Sequence, residues 1–194
     1  MAPRNQGKIQ EIRKESMKKI MQAAFLLFSK QGFEATSIAQ IAKQAGISKG
    51  LLYNYYQSKE ELLEQLILDA FSQGDNLITH PGSDDPRLML EDLFRWFFKE
   101  LRERTDYWRL VTELTLKVDR FRFVRDITVE KMKAYVTFLE HLLTQIGIEN
   151  PAGEAKIIMA LFDGIGIQFV MMRENYPLDE YEHYLIHKYC KRET

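Results

Sequence analysis

The sequence predicts an all-α fold in two parts, and three observations carry that prediction. Apolar residues recur three and four positions apart along nearly all of the 194 residues, which is the period of a helix with one buried face. No stretch alternates apolar and polar residues in the manner of a strand, and no segment repeats another. Between residues 36 and 59 two short helical patterns flank Gly46, each preceded by a serine able to cap it.

The elements follow in order. Ile12, Ser16, Ile20, Ala23, Ala24, Leu27 and Phe28 trace one face of a first long helix, which Gly32 stops. The next begins where Ser37 can cap it and Gln40, three residues on, can reach back to the Ser37 backbone. Ile38, Ile41 and Ala42 share its inner face. Gly46 falls where a left-handed backbone is needed to end that helix. Ile47 re-enters the core, and Ser48 caps a third helix in which Leu52 and either Leu51 or Tyr55 turn inward. Ser48, Lys49, Gly50, Tyr53 and Asn54 are then left on the outer face.

Ser58 and Glu61 open a fourth helix with a second capping box, and it runs from Lys59 toward Gly74 on Leu62, Leu63, Leu66, Ile67 and Ala70. The stretch 79–86, with two prolines and a glycine, is the clear loop. Helices are then expected over 87–103, 105–117, 121–146, 152–175 and 178–190, with Gly147, Pro151 and Pro177 between them. The expected division is residues 1–58 for a three-helix module and 59–194 for a larger helical domain.

Two capped helices around a glycine turn are the grammar of a helix-turn-helix, whose second helix enters the major groove of double-stranded DNA. The net charge of −1 looks unsuited to that role until it is divided. Residues 1–56 carry nine Lys or Arg against three Glu, a balance of +6 that leaves −7 on the remainder. The positive charge therefore sits with the motif, where phosphates would be met.

The segment Gly46-Ile-Ser-Lys-Gly-Leu-Leu-Tyr-Asn-Tyr-Tyr-Gln-Ser-Lys-Glu-Glu-Leu62, preceded by Phe33-Glu-Ala-Thr36 and Ile41-Ala42, resembles the recognition segment of the TetR family of bacterial transcriptional regulators. The resemblance covers roughly residues 12–65, and beyond it only length and helical pattern are similar. Asn54 stands where the family usually has histidine and Tyr56 where it usually has phenylalanine. The resemblance implies a cytoplasmic homodimer that binds a palindromic operator, most often as a repressor, and releases it on binding a hydrophobic or amphipathic small-molecule effector.

Expected DNA contacts are Thr36, Tyr53 and Tyr55 on phosphate, and Ser48 and Lys49 on bases or phosphate. Gly50 would allow close approach, Asn54 would pair with adenine or phosphate, and Lys59 would hold phosphate at a helix N-terminus. Ser37 joins this set.

The second part is rich in rings and methionines, most of which must be core. Trp96, Trp108, Tyr135 and Phe162 are the expected lining of an effector cavity. Ile157, Ile158, Leu161, Phe162, Ile165, Phe169 and Met172 form a broad apolar face, followed by a helix with Tyr181, Tyr184, Leu185, Ile186 and Tyr189. Ile158, Ile165, Phe169, Tyr184 and Tyr189 are the expected dimer interface.

Other classes are weaker. Cys190 is the only cysteine, so an intrachain disulfide is excluded. No uninterrupted apolar run reaches the roughly 18 residues of a membrane span, and residues 1–8 are polar, so no membrane partner is expected. His183 and His187 lie one turn apart without a third ligand, hence no metal and no cofactor are expected. Gly164-Ile-Gly166 lies inside a helical pattern and is not a phosphate loop. Asp163 and Glu174 read as surface or pocket charges. No nucleophile with a base emerges, so no catalytic residue is named and no enzyme is expected. The alternative to a regulator is a helical adaptor without specific DNA binding.

Overall fold

The computed structural model describes residues 3–115 and 121–191, with the side chains of residues 3–6, 73 and 115 left aside. Nine α-helices and one 3-10 turn make up the described residues, and no strand occurs among them. The helices are α1 (Pro3–Gln31), α2 (Ile38–Ala45), α3 (Lys49–Tyr53), α4 (Lys59–Thr79), α5 (Pro86–Glu103), α6 (Thr105–Thr115), α7 (Arg122–Ile146), α8 (Pro151–Met172) and α9 (Leu178–Cys190). The chain divides into two compact units, Met1–Leu68 and Asp69–Thr194, and the division falls inside α4.

In the first unit Ile20, Ala23, Ala24 and Phe28 of α1 close on Ile41 and Ala42 of α2, Leu52 of α3, and Leu62 and Leu63 of α4. Tyr56 is buried with them. The α1 helix begins about nine residues before the expected start, and Ile9 and Ile12 on those first turns are exposed because the three-helix core begins beyond them. Local chemistry sets the turn. The Ser37 hydroxyl accepts from Gln40 N while the Gln40 side chain accepts from Ser37 N at 2.7 Å, a complete capping box. Gly46 has φ +70°, and its N–H and that of Ile47 return to carbonyls of the last turn of α2.

In the second unit α7 and α8 pack side by side, α5 packs on α7 and α9, and α6 on α8. Phe94, Phe97, Phe98 and Leu101 of α5 meet Leu139, Leu142 and Leu143 of α7, Ala155, Ile158, Phe162 and Ile165 of α8, and Leu185 and Tyr189 of α9. Arg87, in the first turn of α5, donates to Tyr189 O, Lys191 O and Ile146 O. One guanidinium thus satisfies orphan carbonyls at the ends of α7 and α9.

Three boundaries differ from expectation. The α4 helix continues through Gly74 to Thr79, because that glycine serves close packing and does not end the helix. The α8 helix stops at Met172 and a 3-10 turn takes Arg173–Asn175. The expected end of α6 at 117 lies outside the described residues. The segment Pro151–Asn175 is also long and apolar enough to cross a membrane by length and composition, with mean hydropathy 1.6, although Glu154, Lys156 and Asp163 interrupt it. One side of that helix is core, and its other sides are apolar without being covered by this chain.

Candidate nucleic-acid interface and effector cavity

The outer face of α3 is built by its caps. Ser48 Oγ accepts from Leu51 N at 3.1 Å, which aims the N-terminus of α3 outward with Lys49 and Gly50 in its first turn. Ser48, Lys49, Gly50, Tyr53 and Asn54 are all exposed and contiguous. The Lys49 ammonium lies 5.8 Å from the Tyr53 ring centre. A Cβ on Gly50 would meet nothing within 4 Å, so nothing inside the chain requires glycine there, although glycine weakens a helix by roughly 1 kcal/mol. Tyr55 is half-buried and carries the Arg13 guanidinium 5.7 Å from its ring centre. The inward position beside Leu52 belongs to Tyr56, because Leu51 is exposed and Tyr55 only partly covered.

Two expected contacts have internal duties. Thr36 is only 2% exposed; its hydroxyl donates to Gly32 O at 2.8 Å and accepts from Gln31 Nε2 at 3.1 Å. It fastens the turn between α1 and α2 instead of offering a hydroxyl to phosphate. The Lys59 ammonium donates to Phe33 O at 2.8 Å and sits 4.1 Å from the Phe33 ring centre. It ties the start of α4 to the same turn. Ser37 remains exposed, with its hydroxyl engaged in the capping box.

The second unit holds a cavity of about 260 Å³ bounded by α4 beyond Leu68 and by α5, α6, α7 and α8. Trp96, Trp108, Tyr135 and Phe162 all line it, together with Phe71, Phe97, Tyr107, Met132, Met159, Gly166 and two carboxylates, Glu100 and Asp163. Phe97 stacks on Phe162 with ring centres 4.0 Å apart and meets Trp108 edge-on at 5.7 Å. Glu100 is paired with Arg104 at 3.1 Å. Among the described residues Asp163 has no such partner, and burial raises its pKa by desolvation even though one side of the residue opens to solvent. Burial also raises the pKa values of Tyr107 and Tyr135, which keeps both phenols neutral. The indole N–H groups of Trp96 and Trp108 are buried without an acceptor.

Tyr135 reaches from the cavity to α4. Its hydroxyl donates to Phe71 O at 3.3 Å and approaches Asp75 Oδ1 at 3.4 Å, while Lys131 pairs with Asp75. A Cβ added to Gly74 would fall 2.8 Å from the Trp96 ring and closer still to the Tyr135 hydroxyl.

The family model for bacterial regulatory proteins of the tetR family matches residues 20–66, the stretch that holds the helix-turn-helix. Over that segment the chain is similar to the DNA-binding region of the TetR family. The HTH-type transcriptional regulator YerO of Bacillus subtilis is 32% identical over 97 residues, 48% of this chain and 34% of YerO. The biofilm operon negative regulator IcaR of Staphylococcus aureus is 28% identical over 106 residues, 53% of this chain and 55% of IcaR. The chain thus spans between a third and about half of the curated relatives it matches. Solved structures are similar over nearly the whole chain. FadR of Bacillus subtilis, in complex with stearoyl-CoA, has TM-score 0.74 at 22% identity, covering 90% of this chain and 97% of FadR. NalD, the secondary repressor of the MexAB-OprM multidrug efflux pump of Pseudomonas aeruginosa, has TM-score 0.74 at 20% identity, covering 95% and 100%. At such identities the likeness shows the TetR fold.

Of the expected partner-facing residues, three are placed elsewhere. Ile158 and Tyr189 are 0% and 1% exposed and Ile165 is also buried, so all three belong to the chain's own core and cannot reach a second protomer. Phe169 packs against that core as well. Tyr184 is 62% exposed, and Ile157, Leu161, Ile167, Met171 and Met172 are the large apolar side chains of α8 left uncovered. Sequence reasoning missed Arg13, Gln31, Gly74 and Glu100, none of which belongs to a local pattern. Asp163 was visible as an acid in an apolar helix.

Lys59→Ala is expected to destabilise the first unit by about 1 kcal/mol in urea titration, from a lost charge-assisted hydrogen bond and ring contact. If Lys59 also reaches phosphate, the slope of log affinity against log salt falls by about one; an unchanged slope assigns it to the turn alone. Gly74→Ala should destabilise the second unit by roughly 1–3 kcal/mol through overpacking, despite alanine's better helix propensity. Adding Tyr135→Phe should recover part of that loss, and no recovery would place the collision elsewhere.

Proposed function

We propose that this chain is an effector-responsive transcriptional repressor that binds a palindromic operator as a homodimer. The observation that carries the reading is the contiguous outer face of Ser48, Lys49, Gly50 and Tyr53 on a capped helix, in a segment whose charge balance is +6. Lys49 supplies charge for phosphate or a guanine edge, Gly50 lets the backbone come close, and Tyr53 offers a phenol to the phosphate chain. Asn54 at the end of α3 is placed to pair with adenine or a phosphate. Similar proteins named as negative regulators or repressors, IcaR and NalD, support the direction of control.

One α3 reads only a few base pairs, so specificity calls for two of them about 34–36 Å apart, or a multiple of that spacing. The uncovered apolar side chains of α8 and α9, with Gly164 between Leu161 and Gln168, support a helix-to-helix dimer surface. Small residues there let two backbones approach, and burying Leu161, Met171 and Tyr184 would remove the largest apolar exposure of the second unit.

The cavity supports the effector role, since a mostly apolar pocket with a few polar groups is the usual form of a small-molecule site. FadR's complex with stearoyl-CoA supports a ligand in a protein of this fold. Effector binding would shift the population toward a dimer whose reading helices no longer match the operator, lowering affinity by the difference in effector affinity between the two states. Tyr135 is the natural coupling residue, since it lines the cavity and holds α4 at Phe71 and Asp75.

Selection and sequencing of genomic fragments bound by the purified protein at physiological salt should recover a palindrome. Recovery of no enriched sequence, with and without small-molecule extracts, would favour the adaptor reading. Leu161→Glu should convert a dimer to a monomer by light scattering and weaken binding to a recovered site by at least about tenfold, because half-sites are then engaged singly. A monomeric parent protein at micromolar concentration would overturn the dimer.

A further inference from the structure

The chemistry of the cavity lining narrows the class of effector. Among the described residues the lining contains two carboxylates and no lysine, arginine or histidine. Glu100 is neutralised by Arg104, whose guanidinium also lies 4.6 Å from the Tyr107 ring centre. Among the described residues Asp163 is therefore the uncompensated charge, and the rings of Trp96, Trp108, Phe97, Phe162 and Tyr135 line the same space. An acid placed here would meet a like charge with no cation to offset it. A cation would meet a carboxylate and several ring faces, the two features that stabilise an ammonium group away from water.

The remaining polar atoms constrain the ligand further. The buried indole N–H groups of Trp96 and Trp108 lack acceptors, and each costs free energy until a ligand oxygen or nitrogen accepts from it. A cavity of ~150 Å³ holds benzene, so about 260 Å³ suits a body of one or two rings.

We infer that the effector is a compact lipophilic cation bearing an aromatic body and at least one hydrogen-bond acceptor, with Asp163 as its charge partner. This rests on the reading of the cavity as the effector site.

The chain's two tryptophans are both in this lining, so intrinsic indole fluorescence of the full-length protein reports on the cavity alone. Three matched esters test the charge: benzoylcholine, its uncharged carbon counterpart 3,3-dimethylbutyl benzoate, and the anionic monobenzyl succinate. Benzoylcholine should bind roughly three- to tenfold more tightly than the neutral ester, the range an ion pair open to solvent plus ring contacts supports. Monobenzyl succinate should bind most weakly. Asp163→Asn should abolish the advantage of the cation and leave the neutral ester's affinity unchanged, the latter showing that the variant is folded with its cavity intact. Equal or tighter binding of the neutral or anionic ester, or an Asp163→Asn variant that keeps the cation's advantage, would overturn the charge assignment while leaving the cavity as an effector site. A fluorescence signal unmoved by all three esters would overturn both.

Discussion

Packing around α8 is the constraint on which most of the second unit depends. Along 22 residues this helix turns Ala155, Ile158, Phe162 and Ile165 into the core, Met159, Asp163 and Gly166 toward the cavity, and Ile157, Leu161 and Gly164 outward. Close-packed interiors transmit displacement because they have few voids to absorb it. A ligand that separates the cavity wall from Phe97 must therefore move Phe162, whose ring is stacked on Phe97 at 4.0 Å, and the outward face rides on the same backbone. Under the proposed function, sensing and association would share this one element.

The second dependence is on α4. Gly74 admits the Trp96 and Tyr135 rings to the helix backbone, and Tyr135, Asp75 and Lys131 form a polar clasp beside them. A larger residue at 74 would hold the rings away and open the cavity on that side. The clasp is partly buried, where hydrogen bonds and ion pairs are stronger than in water but orphaned partners are more costly. Under the proposed function, a ligand competing for the Tyr135 hydroxyl would break this clasp and so give α4 the discrete alternative that an effector-driven shift requires.

What the sequence disclosed was what neighbours in the chain decide. Ser37 with Gln40, Gly46 and Ser48 define the two short helices because caps and a left-handed turn involve residues only a few positions apart. The division of helices in the second unit was equally legible from Gly147, Pro151 and Pro177. The faces of α8 were not. A helix apolar on nearly every side has no polar stripe to mark its exterior, so Ile158 and Ile165 could not be told from Ile157 and Leu161 until packing separated them. Thr36 reads differently for a related reason: a small hydroxyl next to a capping serine looks available until Gln31 and Gly32, five and four residues before it, are seen to claim it. The ring-lined cavity was foreseen as a set of residues, yet its acidity depended on Glu100 and Asp163 arriving from α5 and α8.

Under the proposed function, the imperfect packing of the cavity would be the source of its response to a ligand. Unfilled apolar volume forfeits dispersion contacts, and buried indole N–H groups without acceptors forfeit hydrogen bonds, so the empty second unit is less stable than a filled one would be. A ligand that restores those contacts stabilises the state it binds, by an amount that grows with its concentration relative to its dissociation constant. A larger side chain at Ala70, which also lines the cavity, would fill part of the space and weaken the reason for a ligand to choose between states. Under the proposed function, residual instability at these positions would be what an effector acts on, and a core packed to completion around Phe97 and Phe162 would leave it nothing to fill.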